Sequence, residues 1–114
     1  MGKLRYLVVV PTRELAAQCH SMLQNLAKHM PHNFHSLAVF GGSSMKDQKR
    51  QISFDSPDVI VATTGRLIDH IHNTKGFTLE DVEFLVLDEA DRLIEMGFKE
   101  ELTNIVKQCT NAKR

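Results

Sequence analysis

Apolar runs of four or five residues alternate along this chain with stretches whose apolar positions recur at the helical period. Tyr6–Val10 is the first run and predicts a strand. Thr12 then stands where a helix N-cap belongs. Leu15, Cys19, Met22, Leu23, Leu26 and Met30 follow on one face of a predicted helix that Pro31 ends. Ser36–Phe40 predicts a second strand, closed by Gly41-Gly42, and Ser44 caps a mostly polar helix from Met45 to about Phe54. Pro57 breaks the chain before a third strand, Asp58–Ala62. A helix carrying Leu67, Ile68 and Ile71 follows until Asn73 to Gly76 interrupt it. Thr78 to Asp81 reads as a short capped turn. Phe84–Leu87 predicts a fourth strand, short and apolar enough to be buried on both faces, and two helical pieces follow, split near Gly97; the second carries Leu102, Ile105, Val106 and Cys109.

Four β–α units in series predict an α/β fold. The expected architecture is a parallel sheet of about four strands with helices on both faces. The 114 residues suffice for one domain, and they hold no internal repeat, linker or low-complexity segment. No apolar stretch is long enough to span a bilayer, and Met1-Gly2-Lys3-Leu4-Arg5 has no signal-peptide pattern. Cys19 and Cys109 are too few for a disulfide scaffold, so a reducing, intracellular setting is expected.

Net charge is zero, so only its distribution is informative. Residues 1–79 hold nine Lys/Arg against five Asp/Glu, a net +4, whereas residues 80–101 hold two against nine, a net −7. Residues 102–114 return to +3. A polyanion would prefer the first stretch and a metal ion the second, although solvated faces cluster in this way without function.

The most distinctive segment is Leu85-Val86-Leu87-Asp88-Glu89-Ala90-Asp91, an apolar run that ends in carboxylates. Ligands of open α/β sheets bind beyond the carboxyl ends of the strands. An acidic pair there suits Mg2+ near phosphates and a water oriented for attack. The same residues equally suit a helix start, with Asp88 capping a helix from Glu89. The other strands end in turns that share this edge: Pro11-Thr12-Arg13-Glu14, Gly41-Gly42-Ser43-Ser44 and Thr63-Thr64-Gly65-Arg66. They offer helix N-terminal amides, hydroxyls, glycines and guanidiniums, which suit successive phosphates of a nucleic-acid strand. Few aromatic residues lie nearby, so base stacking is not the expected mode. Each turn also has a plain structural use, with Thr12 and Ser44 as caps and Arg13 and Arg66 paired to Glu14 and Asp69. His29, His32 and His35 recur every three residues with Cys19 and His20 upstream, but Pro31 interrupts them and no cysteine pair has zinc spacing. Exposed histidines around a helix end are expected there, and His70 and His72 would not face together.

No G-x-x-x-x-G-K-[ST] phosphate loop occurs in the chain. The segments Pro11-Thr-Arg-Glu-Leu-Ala-Ala-Gln18, Gly41-Gly42, Thr63-Thr-Gly-Arg66 and Asp88-Glu-Ala-Asp91, in this order, resemble the DEAD-box RNA helicases over essentially the whole length. Gly65–Asn73 and Arg92–Phe98 look most like a nucleolar subgroup acting in large ribosomal subunit assembly.

The resemblance implies a partial RecA-like domain, an internal piece of the first of two, whose phosphate loop lies before residue 1. The Ser-Ala-Thr segment and second domain would follow residue 114. It implies ATP and Mg2+ as cofactors. Asp88 would bind Mg2+ on the ATP phosphates, through water. Glu89 would position or deprotonate the attacking water, and Asp91 would couple the ATP site to neighbouring motifs. It implies that Pro11, Thr12, Arg13, Gly41, Gly42, Thr63, Gly65 and Arg66 line an RNA backbone track that does not read sequence. Thr64 departs from the family, which usually has proline there; threonine adds an N–H and a hydroxyl at the first helical position. The parent protein is expected to couple ATP hydrolysis to unwinding or remodelling of RNA, on pre-ribosomal particles in the nucleolus if the subgroup holds and otherwise in the cytoplasm. The chain alone is expected to be inactive and to self-associate through an exposed sheet edge. The rival readings are a non-catalytic RNA- or protein-binding module and a different Mg2+-dependent phosphoryl-transfer enzyme.

Overall fold

The computed structural model describes residues 4–30, 34–42, 44–55 and 57–109. Pro31, His32, Ser43 and the Asn111–Arg114 tail lie outside the described residues. Four strands form one parallel sheet in the order β2-β3-β1-β4, with β1 at Tyr6–Val10, β2 at Ser36–Val39, β3 at Val59–Thr63 and β4 at Phe84–Leu87. The strands fall within one residue of those expected from the sequence. The helices are α1 Arg13–Ala27, α2 Met45–Asp55, α3 Thr64–Asn73, α4 Ala90–Glu95 and α5 Lys99–Gln108.

Helices cover both faces. On one face Leu7, Val9, Leu37, Val39, Ile60, Ala62 and Leu85 pack with Ile52 of α2, Leu67 of α3, Leu93 of α4 and Leu102 and Ile105 of α5. On the other, Val10 and Val61 pack against Ala16 of α1, with Leu15, Cys19 and Leu23 partly buried beside them. The central strand β3 is buried from Val59 to Ala62, as its unbroken apolar run requires.

Two expectations about burial are corrected. β4 was expected to be buried on both faces, but Phe84 is 46% exposed and Val86 50%. β4 is the outer strand, and α1 is packed over β1, β2 and β3, so one face of β4 stays open. The ring of Phe84 partly compensates by stacking on Tyr6, centroids 5.7 Å apart. The apolar positions late in α1 are also exposed, with Met22 at 64% and Leu26 at 57%. The periodicity located a helix there but not what covers its face. α1 ends at Ala27, before Pro31, and Lys28–Met30 form a closing turn through N–H groups bonded to Gln24, Leu26 and Ala27 carbonyls.

Candidate nucleic-acid and nucleotide edge

The parallel register sends all four strand-to-helix turns to one edge of the sheet. The strand order sets their sequence in space: the Gly41-Gly42 turn, then Thr63–Arg66, then Pro11–Arg13, then Asp88-Glu89. Three turns of phosphate-gripping chemistry are therefore neighbours, with the carboxylates at the end of the row.

Each turn is built by its own residues. The Thr12 hydroxyl accepts from Leu15 N–H at 3.2 Å, and the Ser44 hydroxyl from Asp47 N–H at 3.3 Å. Both are working N-caps. Thr63 is the N-cap of α3 but makes no side-chain cap bond. Thr64, in place of the usual proline, is buried as the first residue of α3. Pro11 is buried, Thr12 half-buried, and Arg13, Gly42 and Gly65 exposed.

The Pro11–Arg13 and Gly41-Gly42 turns touch. Gly42 has φ +95°, and a Cβ built there would lie 2.7 Å from Arg13 Nη1, so the guanidinium rests where a side chain would be. Gly41 has nothing within 4 Å of its Cβ position. Gly42→Ala is therefore expected to destabilise by about 1–2 kcal/mol through the left-handed backbone and to displace Arg13. Gly41→Ala should leave stability within about 0.5 kcal/mol. Thermal denaturation of the two variants checks the contrast.

Arg66 is held from two sides. Its Nη1 donates to Gln48 Oε1 at 3.0 Å, and its Nε lies 4.0 Å from Asp69 Oδ2. The Asp69 pairing expected from the sequence is thus present but long, while Gln48 is the closer partner. Gln48 and His70 were missed in the sequence. The available signal was spacing: His70 lies three residues after buried Leu67, on the inward side of α3.

The acidic turn differs from a simple cap. Asp88 N–H donates to Val9 carbonyl at 3.0 Å, which prolongs the β1–β4 ladder by one residue and fixes Asp88 at the strand end. α4 begins at Ala90, not Glu89. Its N-cap is Glu89, at φ 53° and ψ 47°, with no side-chain cap bond. Asp88 therefore does not cap a helix from Glu89. Glu89 is the one non-glycine residue with positive φ among the described residues. That conformation costs about 1–2 kcal/mol for an L-residue and is concentrated at functional sites. The Glu89 carboxylate lies 3.6 Å from Arg92 Nη1, both largely exposed, so the pair contributes little to stability. Asp91 is exposed in the first turn of α4. Burial first, and the Asp88 carboxylate second, push the Cys19 thiol above its usual range. α1 thus borders the acidic turn with an inert thiol.

No group of three or more His, Cys, Asp or Glu able to hold a metal occurs among the described residues. His32 lies outside the described residues, and His20 Nε2 bonds the Ser36 carbonyl at 3.2 Å. The donor set does fit Mg2+, which keeps several waters and needs only one or two carboxylates beside phosphate oxygens. Asp88 and Glu89, exposed at the strand end, meet that requirement. No helix among the described residues is long and apolar enough to cross a membrane.

Parallel strands, helices on both faces and strand-to-helix turns gathered at the carboxyl edge are those of a RecA-like α/β domain. Among solved structures, the yeast DEAD-box splicing factor Prp28 superposes with a TM-score of 0.87 at 34% identity, covering 98% of this chain and 25% of that one. The DEAD-box helicase Mss116 bound to ssRNA and UDP-BeF superposes at 0.83 and 26% identity, covering 96% and 23%. A family model described as DEAD/DEAH box helicase matches residues 1–114, and the chain belongs to that family. It is 51% identical over 106 residues to a probable ATP-dependent RNA helicase ddx27 of Dictyostelium discoideum, 93% of this chain and 13% of that protein. Identity is 49% over 113 residues to the ATP-dependent RNA helicase DRS1 of Mycosarcoma maydis, 99% of this chain and 12% of that protein. The chain thus spans only a small part of the curated relatives it matches.

Proposed function

We propose that this chain is part of the first RecA-like domain of an ATP-dependent RNA helicase. In this reading it supplies the RNA backbone track and the metal-and-water half of the ATPase site. The observation that carries the reading is the row of turns: Gly41-Gly42, Thr63–Arg66 and Pro11–Arg13 adjacent in space, with Asp88-Glu89 next in line. Relatives named as ATP-dependent RNA helicases and a structural neighbour bound to ssRNA support it.

Arg13 and Arg66 provide charge for phosphates, helix N-terminal amides and the Thr12 and Thr63 positions provide donors, and Gly42 and Gly65 allow close approach of a backbone. Asp88 would hold Mg2+ through water, and the ion when bound would neutralise charge on the ATP phosphates. Glu89 orients a water and takes its proton. Asp91, in the first turn of α4, would link the acidic turn to neighbouring segments by hydrogen bonds. The lysine and amides of a phosphate loop come from chain outside these 114 residues in this reading. On the resemblance of Gly65–Asn73 and Arg92–Phe98, the parent protein works on pre-ribosomal particles in the nucleolus.

The full-length protein is expected to hydrolyse ATP in an RNA-stimulated manner and to separate short RNA duplexes, which a coupled phosphate-release assay and a gel-shift strand-separation assay measure. The 114-residue chain alone is expected to show no ATPase, because positioning and electrostatics supply the rate and the triphosphate cradle is lacking. Absence of RNA-stimulated hydrolysis in the full-length protein would overturn the reading. So would Mg2+-dependent turnover by the short chain that Glu89→Gln abolishes.

A further inference from the structure

Two polar side chains lie deep in the domain with no part in the function above: Gln48, 3% exposed on α2, and His70, fully buried on α3. Their hydrogen bonds can be oriented without ambiguity. Gln48 Nε2 donates to the Phe40 carbonyl at 3.0 Å, and a carbonyl only accepts. The amide is thereby fixed with Oε1 pointing to the other side. There Oε1 accepts from Arg66 Nη1 at 3.0 Å and lies 2.9 Å from His70 Nε2. Nε2 must then carry the imidazole proton. The unprotonated Nδ1 accepts from the Thr74 hydroxyl at 2.6 Å. Burial, with Arg66 and then Lys49 nearby, lowers the His70 pKa to about 4, which keeps this neutral tautomer in place.

The chain of bonds runs from the residue before Gly41, through α2, to the arginine of the third turn. We infer that Gln48, braced by the Phe40 carbonyl and His70, is a positioning residue that sets the Arg66 guanidinium for the RNA backbone. The inference rests on the RNA-track reading above. Arg66 has only 16% of its side chain exposed and borders a cavity of about 330 Å3 lined also by Met45, Lys49, Asp69 and Asn73. In such a site the direction of the guanidinium is set by its protein partners. An arginine ordered in advance loses less rotamer freedom on binding than one that must be ordered by the ligand. The fixed acceptor is Gln48 Oε1, itself fixed at both ends. Gln48 touches no phosphate in this scheme; it acts through Arg66.

The test is a double-mutant cycle in the full-length protein, reading affinity for labelled single-stranded RNA by fluorescence anisotropy. Gln48→Met keeps the shape and removes the acceptor. It is expected to weaken binding about fivefold to tenfold, the cost of ordering one rotamer-rich side chain. On an Arg66→Ala background the same change should have no further effect, whereas a merely structural role would weaken both backgrounds alike. Should Gln48→Met not fold, Thr74→Val removes only the far hydroxyl. It is expected to cost about twofold, again only while Arg66 is present. Wild-type affinity in the folded Gln48 or Thr74 variant, or equal losses with and without Arg66, would overturn the inference while leaving the track intact. Wild-type affinity in Arg66→Ala itself would overturn the inference together with the placement of Arg66 on the track.

Discussion

Glu89→Gln in the full-length protein is expected to reduce RNA-stimulated ATP hydrolysis by about 10²- to 10⁴-fold, the usual contribution of a positioned general base. That corresponds to about 3–5 kcal/mol of barrier. The substitution keeps shape and hydrogen-bonding capacity and removes basicity. The fold should tolerate it, because the Glu89 side chain is exposed, makes no cap bond to α4 and pairs, among the described residues, with a solvent-facing Arg92. What holds the left-handed turn is backbone: Asp88 N–H on Val9 carbonyl and Leu93 N–H on Glu89 carbonyl, at 3.0 and 3.1 Å. Glutamine adopts that turn at the same cost as glutamate. The proposed RNA track uses the turns after β1, β2 and β3, so affinity for single-stranded RNA should stay within about twofold of wild type. Single-turnover hydrolysis and RNA anisotropy on the same preparation check both halves. Wild-type hydrolysis would remove Glu89 from the chemistry, and a parallel loss of RNA affinity would show that the acidic turn and the track are not separate.

The strands and turns were legible because each is specified locally. Unbroken apolar runs marked β1 and β3, and Thr12 and Ser44 stand where their helices begin and do cap them. Parallel topology then gathered the turns at one edge without any contact being known. What was not legible is set by neighbours. The order β2-β3-β1-β4, which makes the three track turns contiguous and leaves β4 outermost, comes from pairing between distant segments. The same four-residue pattern Phe84–Leu87 would read identically in a central strand, so its open face could not be foreseen. The left-handed turn at Glu89 has no sequence signal either, since glutamate carries none of the preference of glycine or asparagine for that region. Gln48 and His70 look like ordinary helix residues. Only the packing of α2 against the end of β2, and of α3 beside it, turns them into one buried network with Arg66 and Thr74.

That network is expected to make the domain acid-sensitive. The His70 pKa is lowered from 6.5 to about 4, by burial first, then by Arg66 and Lys49 against the weaker opposing effect of Asp69. A histidine whose folded pKa is depressed binds its proton more readily in the unfolded chain. Its contribution is fully present above about pH 6.5 and is lost as pH falls toward 4, to a total of about 3 kcal/mol. Set against a typical domain stability of about 5–15 kcal/mol, this is a large share for one side chain. It follows that protection of the buried α3 amides against hydrogen exchange should fall steeply between pH 6.5 and 4.5. In His70→Gln, which keeps a neutral donor and takes up no proton, the same protection should depend less on pH, by about one proton. Equal pH dependence in the two proteins would mean that the imidazole titrates normally in the folded state. The proton has one place to go, Nδ1, where it removes the acceptor of the Thr74 hydroxyl and puts a charge beside Arg66. Acid therefore acts on the joint that fixes Gln48, so loosening of α3 and misplacement of Arg66 should appear over the same pH range.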